Sequence, residues 1–152
     1  MIAMDKWHKF KPLPADSRQR LNQLNPLFAA ENVLLAYLFG SLTHTTQAHD
    51  IDLALLMPPD KRPFYLQPAI NHTLHTERVD IVDLRRATPV LAFEIISNGQ
   101  ILYAADETMQ LDFERHVLRQ YKDTAWLRQK QEQSLKERMK QWSSNATALP
   151  NA

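Results

Sequence analysis

The amino-acid sequence predicts an α/β (or α+β) fold, in which a mixed β-sheet of about four strands is flanked by helices and followed by C-terminal helices. Short apolar runs alternate with segments of helical periodicity along the chain, as in layered folds. The 152 residues are 44% hydrophobic and 23% charged, which suits one domain large enough to bury a core.

The first half of the chain supplies one helix and two strands. Leucines at helical spacing predict a helix over about 15–30. The continuous apolar run 33–39 predicts a strand buried on both faces, which ends in a turn at 40–41. A polar loop, 42–49, then leads into a second apolar strand over 50–57.

The second half alternates helices with the remaining strands, namely a helix over about 64–72, a strand over 77–84, a helix over 88–98 and a strand over 100–104. Thr88 and Pro89 are typical of a helix N-terminus, and Gly99 of a helix C-terminus. The remainder, about 107–142, is helical in composition. A break is expected near Thr124, because one helix of that length would be roughly 54 Å long.

Several classes of protein are disfavoured by composition. The chain has no cysteine, which excludes disulfides and thiolate metal sites and fits a cytoplasmic protein. Its net charge of +1 argues against direct binding of nucleic acid. The longest apolar run is too short to cross a membrane, and residues 1–14 lack the apolar core of a secretory signal.

Two aspartates at the start of the second strand are the first candidate site residues. Residues i and i+2 of a strand share a face, so Asp50 and Asp52 present two carboxylates side by side while Ile51 points into the core. Like charges repel, and a divalent cation would relieve that repulsion. Mg²⁺ prefers carboxylate oxygens, water and substrate phosphates.

A third carboxylate comes from the next predicted strand. Asp80 interrupts its apolar run and reaches the same site if this strand lies beside the second one. Three carboxylates suit a site with two metal ions. Asp83 has the opposite parity and is expected to face elsewhere, as a structural cap. The alternative for Asp80 is an edge-strand acid paired with Arg78 or Arg85.

The turn at Gly40-Ser41 supplies a complementary feature. The chain has only two glycines, Gly40 and Gly99, so each is expected where a side chain would strain the backbone. Glycine lets backbone N–H groups approach a phosphate closely, and the serine hydroxyl can donate a further hydrogen bond. One element could therefore hold a triphosphate while the carboxylates hold its metal ions.

The segments LFGS, DIDLALL, VDIVDL and ISNGQILYAAD together resemble the polymerase-beta-like nucleotidyltransferase superfamily, and in particular its minimal nucleotidyltransferase (MNT) branch. The resemblance covers about 30–122 and implies a nucleotidyltransferase fold. It thus divides a single domain, 1–142, into a core over 30–122 and a helical extension over 123–142. Residues 143–152 are expected to form a disordered tail.

The resemblance also implies an activity and a partner. Members of this branch are often antitoxins that transfer AMP from ATP to a tyrosine of a HEPN ribonuclease toxin. Matched by position, Asp50, Asp52 and Asp80 are the catalytic and metal-binding residues, with two Mg²⁺ ions, and Gly40 and Ser41 bind the nucleotide.

Two alternatives remain open for the function. The loop 42–49 has eight residues and holds neither the glycine nor the arginine common in the family, which suggests an antitoxin that neutralises its toxin by binding alone. A nucleotidyltransferase acting on a small molecule or on RNA is the other alternative.

Other polar motifs are weighed against simpler explanations. His72 and His75 form an H-x-x-H pair without a third ligand, so exposed histidines are favoured over a zinc site. Arg85 and Arg86 could contact phosphate or be surface charge. The basic, tryptophan-containing segment 124–142 either packs on its own domain or docks a partner.

Overall fold

The structure, a computed structural model, describes residues 12–45 and 48–147. Its four strands form one sheet and are β1 (Leu35–Phe39), β2 (Ile51–Leu56), β3 (Val79–Asp83) and β4 (Gln100–Ala104). The order across the sheet is β3-β2-β1-β4. β1 is antiparallel to β2 and β4, whereas β2 and β3 are parallel. The predicted mixed sheet of four strands is therefore confirmed.

Six α-helices accompany the sheet in the described residues, namely α1 (Ser17–Arg20), α2 (Asn25–Ala30), α3 (Gln67–Leu74), α4 (Pro89–Asn98), α5 (Glu107–Asp123) and α6 (Ala125–Thr147). Short 3₁₀ segments lie at Leu21–Leu24, Ser41–Thr43, Pro63–Leu66 and Leu84–Arg86. The predicted helix over 15–30 is thus two short helices joined by a 3₁₀ turn. No helix within the described ranges is both long and apolar enough to span a membrane.

The sheet is buried on both faces, as the continuous apolar strands require. Along β2, Ile51, Leu53 and Leu55 point to a core shared with the N-terminal helices and α3. Ala54 and Leu56 point to the other face, where α4 and α5 cover the sheet. This alternation follows from the two-residue period of a strand.

The end of α4 packs tightly against β1. Thr88 caps the helix by accepting a hydrogen bond from the Leu91 N–H (3.3 Å), as its position before Pro89 predicts. Gly99 ends the helix in an extended conformation, not in the left-handed conformation expected of a glycine cap. A Cβ at Gly99 would lie 2.3 Å from the Ile95 carbonyl oxygen and 3.0 Å from that of Leu38, so glycine is needed for this close approach.

The C-terminal helices differ from expectation only at their end. α5 stops at Asp123 and α6 begins at Ala125, which confirms the break near Thr124. α6 continues through Ser143–Thr147, into the segment predicted to be a disordered tail. The Ser143 and Ser144 hydroxyls donate to backbone carbonyls one turn earlier (3.0 Å each), which lets serine remain in the helix. Residues 148–152, like 1–11, lie outside the described residues.

Gly99→Ala is predicted to destabilise the protein by about 1–3 kcal/mol, because the added methyl group overlaps two backbone carbonyl oxygens that cannot move aside easily. Urea unfolding followed by circular dichroism measures the change. Ser97→Ala, at an exposed position of the same helix, is the matched control and is expected to unfold as the wild type does. Equal stability of the two variants would contradict the packing described at this helix end.

Candidate active site

The candidate site lies where three strands meet at one end of the sheet. Phe39 closes β1, Asp52 lies near the start of β2, and Asp80 lies near the start of β3. Phe39 is the register partner of Asp52, and Asp52 is the register partner of Asp80. Directly paired residues share a face, and neighbouring strands lie about 4.8 Å apart. The sheet therefore brings together two of the three aspartates singled out in the sequence.

The carboxylate of Asp52 packs directly against the backbone of Gly40. Gly40 has a φ of +77°, a left-handed conformation that L side chains rarely adopt. A Cβ at this position would lie 2.1 Å from Asp52 Oδ2. Both the backbone conformation and the space available therefore require glycine here, and the turn and the carboxylate form one unit.

The turn after Gly40 is braced by a residue that the sequence analysis missed. Thr43 Oγ1 donates to the Gly40 carbonyl oxygen (2.6 Å), and the Thr43 N–H donates to the same oxygen (3.2 Å). Ser41 begins the 3₁₀ segment and is exposed, so its hydroxyl is accessible to a ligand. A threonine three residues after a glycine turn is a signal for such bracing, although a weak one.

Asp52 is the electrostatic centre of the cluster. It is half-buried, and burial raises the pKa of its carboxyl group; the nearby charges of Asp80 and then Asp50 raise this pKa further. An isolated strand-start acid in water would not show this pattern. The shift means that the site holds negative charge at a cost, which bound positive charge would relieve.

The third aspartate is less firmly placed than expected. Asp50 precedes β2 by one residue and is exposed, so the sheet orients Asp52 and Asp80 but not Asp50. Across 12–45 and 48–147, no three His, Cys, Asp or Glu side chains are close enough to form a ready-made metal-binding group. The acidic oxygens suit Mg²⁺, which also takes ligands from water and phosphate.

Asp83 serves the structure, as its parity predicts. It is 8% exposed, accepts from the Arg85 N–H (3.2 Å) and forms an ion pair with Arg86 (2.8 Å). The Arg85 guanidinium donates to the Met57 carbonyl oxygen (3.0 and 2.8 Å). Both arginines therefore secure the C-terminal ends of β2 and β3, at the opposite end of the strands from Asp52. From there they do not contact a phosphate bound at the candidate site.

The H-x-x-H histidines lie in a different part of the surface. His72 and His75 are both exposed, as predicted. They line an open cavity of about 890 Å³ between α3 and Pro12, larger than the recess of about 290 Å³ beside Gly40. His75 takes a left-handed conformation at the end of α3, and its Nδ1 contacts the Arg20 guanidinium. None of the three aspartates lines this cavity, so size alone is a poor guide to the site.

The mixed sheet, the glycine-serine turn and the acidic residues beside it define the class of nucleotidyltransferases. The family model for the polymerase beta nucleotidyltransferase domain matches residues 22–108, more than half of the chain. The chain therefore belongs to this family. A search of curated protein sequences gives no match.

Solved structures share the fold over most of their length. The chain is 25% identical to a protein in the structure of tri-AMPylated Shewanella oneidensis HEPN toxin in complex with MNT antitoxin, covering 78% of this chain and 98% of that one with a TM-score of 0.63. A toxin–antitoxin structure with AMP-PNP is also 25% identical, covering 81% and 98% with a TM-score of 0.61. A variant toxin–antitoxin structure is 26% identical, covering 75% and 96% with a TM-score of 0.60.

Asp52→Asn is predicted to stabilise the metal-free protein at pH 7. The pKa of Asp52 is raised in the folded protein above the usual aspartate value. As the pH rises above that usual value, the unfolded protein loses this proton more readily than the folded protein does, so the free energy of unfolding falls. The gain in Tm from Asp52→Asn should therefore be absent near pH 3, where the Asp52 carboxyl is protonated in both the folded and the unfolded protein. At neutral pH the gain should reach a few degrees, at about 2–4 °C per kcal/mol of added stability.

Thermal unfolding between pH 3 and pH 8 in the presence of EDTA measures this gain. Asp60→Asn, which removes an exposed aspartate away from the site, is the matched control. A gain for Asp52→Asn that does not change with pH would argue against like-charge repulsion at this carboxylate.

Proposed function

We propose that the protein is an antitoxin nucleotidyltransferase that transfers AMP from ATP to a hydroxyl group of a HEPN-type ribonuclease toxin and thereby neutralises it. The resemblance favours a tyrosine as the acceptor. The main support is the contact of Asp52 with the Gly40 turn, with Asp80 paired beside it. The fold is shared with the MNT antitoxin seen in complex with tri-AMPylated HEPN toxin. We further propose a single cytoplasmic domain with a helical extension after residue 122.

Each site residue has a role in this proposal. The backbone N–H groups of the Gly40-Ser41 turn and the exposed Ser41 hydroxyl bind the triphosphate. The carboxylates of Asp50, Asp52 and Asp80 would hold two Mg²⁺ ions. Burial, and then the charges of Asp80 and Asp50, raise the pKa of Asp52, and bound cations would offset this unfavourable negative charge. Bound Mg²⁺ would supply charge stabilisation for the phosphates and for the leaving pyrophosphate.

The reaction is a direct displacement at phosphorus. The acceptor oxygen forms a bond to the α-phosphorus, the bond from that phosphorus to the bridging oxygen breaks, and pyrophosphate leaves. The hydroxyl proton must depart during this step. Asp80 is exposed at the start of β3, and its carboxylate or a bound metal ion would assist the loss of that proton.

The open surface around the aspartates supports a macromolecular acceptor. Ser41, Asp50 and Asp80 are all exposed. The recess beside the turn has a volume of only about 290 Å³ and lies between Gly40 and the end of α4. Pockets that enclose small ligands usually bury most of the ligand surface. A tyrosine projecting from a partner protein fits such an open site better than a free small molecule.

A second candidate function is neutralisation by binding alone. It is favoured by the eight-residue segment between Ser41 and Asp50 and by the exposed position of Asp50 outside the strand. AMP transfer requires the aspartates, because they would hold the metal ions. Neutralisation by binding does not, because the protein can still bind its partner when its site no longer holds metal ions.

Asp50→Asn/Asp52→Asn is predicted to reduce AMP transfer by more than about 100-fold, because the carboxylates that bind the metal ions are lost. The measurement is transfer of label from α-labelled ATP, with Mg²⁺, to a purified HEPN-type toxin from the same genome. Asp60→Asn is the control and should transfer at the wild-type rate. Separate reactions with RNA and with small hydroxyl compounds test the remaining alternative, a nucleotidyltransferase that acts on RNA or on a small molecule.

The double variant is expected to remain folded, because ionisation of Asp52 is unfavourable in the folded protein, and its thermal unfolding measured beside that of the wild type separates loss of transfer from loss of fold. If wild-type protein leaves the toxin unlabelled while forming a stable complex, binding alone becomes the function. Label on RNA or on a small acceptor, but not on the toxin, would move the assignment to that acceptor.

Mg²⁺ together with AMP-PNP is predicted to raise the Tm of the wild-type protein by about 5–10 °C at ligand concentrations near 100 times Kd. EDTA should abolish the shift, and Asp50→Asn/Asp52→Asn should show little of it. Differential scanning fluorimetry with Mg²⁺ alone, AMP-PNP alone and both together separates the contributions. An equal shift with EDTA present would contradict metal-assisted nucleotide binding.

A further inference from the structure

The last helix of the described chain contacts the domain at its first turn and is exposed beyond it. α6 runs from Ala125 to Thr147, a length of about 34 Å at about 1.5 Å per residue. Residues 125–146 include no buried side chain. Trp142 is 80% exposed and Met139 62%. Residues 129–146 are all exposed, so of the two hypotheses for this segment the docking of a partner is favoured for the part beyond the first turn.

A stack of three planar groups fixes where this helix begins. The rings of Phe93 on α4 and Tyr121 on α5 lie 3.8 Å apart and nearly parallel, at 9°. The Arg128 guanidinium on α6 lies 3.8 Å from the centre of the Tyr121 ring. Arg128 also donates to Thr124 Oγ1 (2.8 Å), at the break between the two helices. The first turn of α6 is thereby held in one orientation while the rest of the helix remains uncovered.

The distal half of α6 carries an apolar stripe, which we define as Leu135, Met139 and Trp142. Their i, i+4, i+7 spacing places the three side chains on one helix face. Leu135 is 51% exposed, so all three members of the stripe are accessible. Trp126 is 64% exposed but lies on roughly the opposite side of the helix. Exposed apolar side chains aligned in this way are typical of helices that dock into a groove.

The charge of α6 indicates what kind of surface it fits. The helix carries five basic and two acidic residues, a formal charge of +3, so the rest of the chain carries −2 of the total of +1. Arg138 and Lys136 flank the stripe on its two sides. A second copy of α6 would place like charges together. A lipid surface requires a broad apolar face, whereas the stripe is narrow and Trp126 lies opposite to it.

We propose that the stripe docks α6 into an acidic, apolar groove on the HEPN-type toxin and so brings the toxin to the site. This inference rests on the proposed function for the identity of the partner. The helix lies outside the part of the chain, 22–108, that the family model matches. Docking through an arm held at its base limits the conformational freedom lost on binding. Trp142 is the expected anchor, because tryptophan commonly dominates interface energetics.

The test compares two variants in binding and in transfer. Met139→Ala/Trp142→Ala should raise the Kd for the purified HEPN-type toxin by about tenfold or more, and raise KM for the toxin with kcat unchanged. Trp126→Ala removes the other exposed tryptophan of the same helix, which lies outside the stripe, and should bind as the wild type does. Binding is measured by calorimetry without nucleotide, so it is independent of catalysis. Circular dichroism checks that helix content is preserved.

Arg138→Gln/Lys140→Gln removes two of the five basic residues of α6 and provides a second measure that leaves the stripe intact. It should lower the association rate and reduce the dependence of this rate on salt concentration, if the groove is acidic. Binding to vesicles of phosphatidylglycerol and phosphatidylcholine tests whether the stripe binds a lipid surface. Sedimentation of the chain alone tests whether it binds a second copy of the chain.

Wild-type toxin affinity in Met139→Ala/Trp142→Ala would overturn the inference. The inference would also be overturned if Met139→Ala/Trp142→Ala lost binding to vesicles, or lost a dimer that the wild type forms, while its affinity for the toxin stayed unchanged. Stripe-dependent binding of a toxin that is never labelled would instead contradict the proposed transfer reaction and leave the docking helix in place. The two failures are therefore distinguishable.

Discussion

The close contact between Gly40 and the carboxylate of Asp52 is the constraint on which the candidate site depends. It requires β1 to end and β2 to begin at the same level of the sheet, and it requires a left-handed residue without a side chain at the turn. The antiparallel pairing of β1 with β2 sets this level, and Thr43 holds the turn in place. The Gly40 turn and the Asp52 carboxylate are therefore positioned relative to each other by one packing contact.

The same contact explains the electrostatic character of the site. Asp52 is held where water is partly excluded, and parallel pairing of β2 with β3 places Asp80 beside it. Charge repulsion within a folded sheet lowers stability, and the proposed binding of cations would offset this loss. At Asp52 the negative charge that the proposed function requires therefore lowers stability. Asp83, on the opposite face of β3, is paired with Arg86 and contributes to stability.

The sequence was sufficient for most of the fold but for less of the site. Short apolar runs and their bounding turns predicted all four strands, and Thr88, Pro89 and Gly99 located α4. The i, i+2 rule gave the shared face of the aspartates, but it could not show that β2 begins after Asp50, because strand ends depend on pairing with neighbours. Thr43 and the stack of Phe93, Tyr121 and Arg128 depend on contacts between separate elements, which periodicity does not encode.

The two glycines of the chain lie at the same end of β1, one against Asp52 and the other against the Leu38 carbonyl. A methyl group at either position would collide with neighbouring atoms, whereas most surface positions accept many residues. The strictest steric demands of this fold therefore fall on a few points of backbone contact. A fold with so few strict demands can be shared by proteins that are only 25% identical.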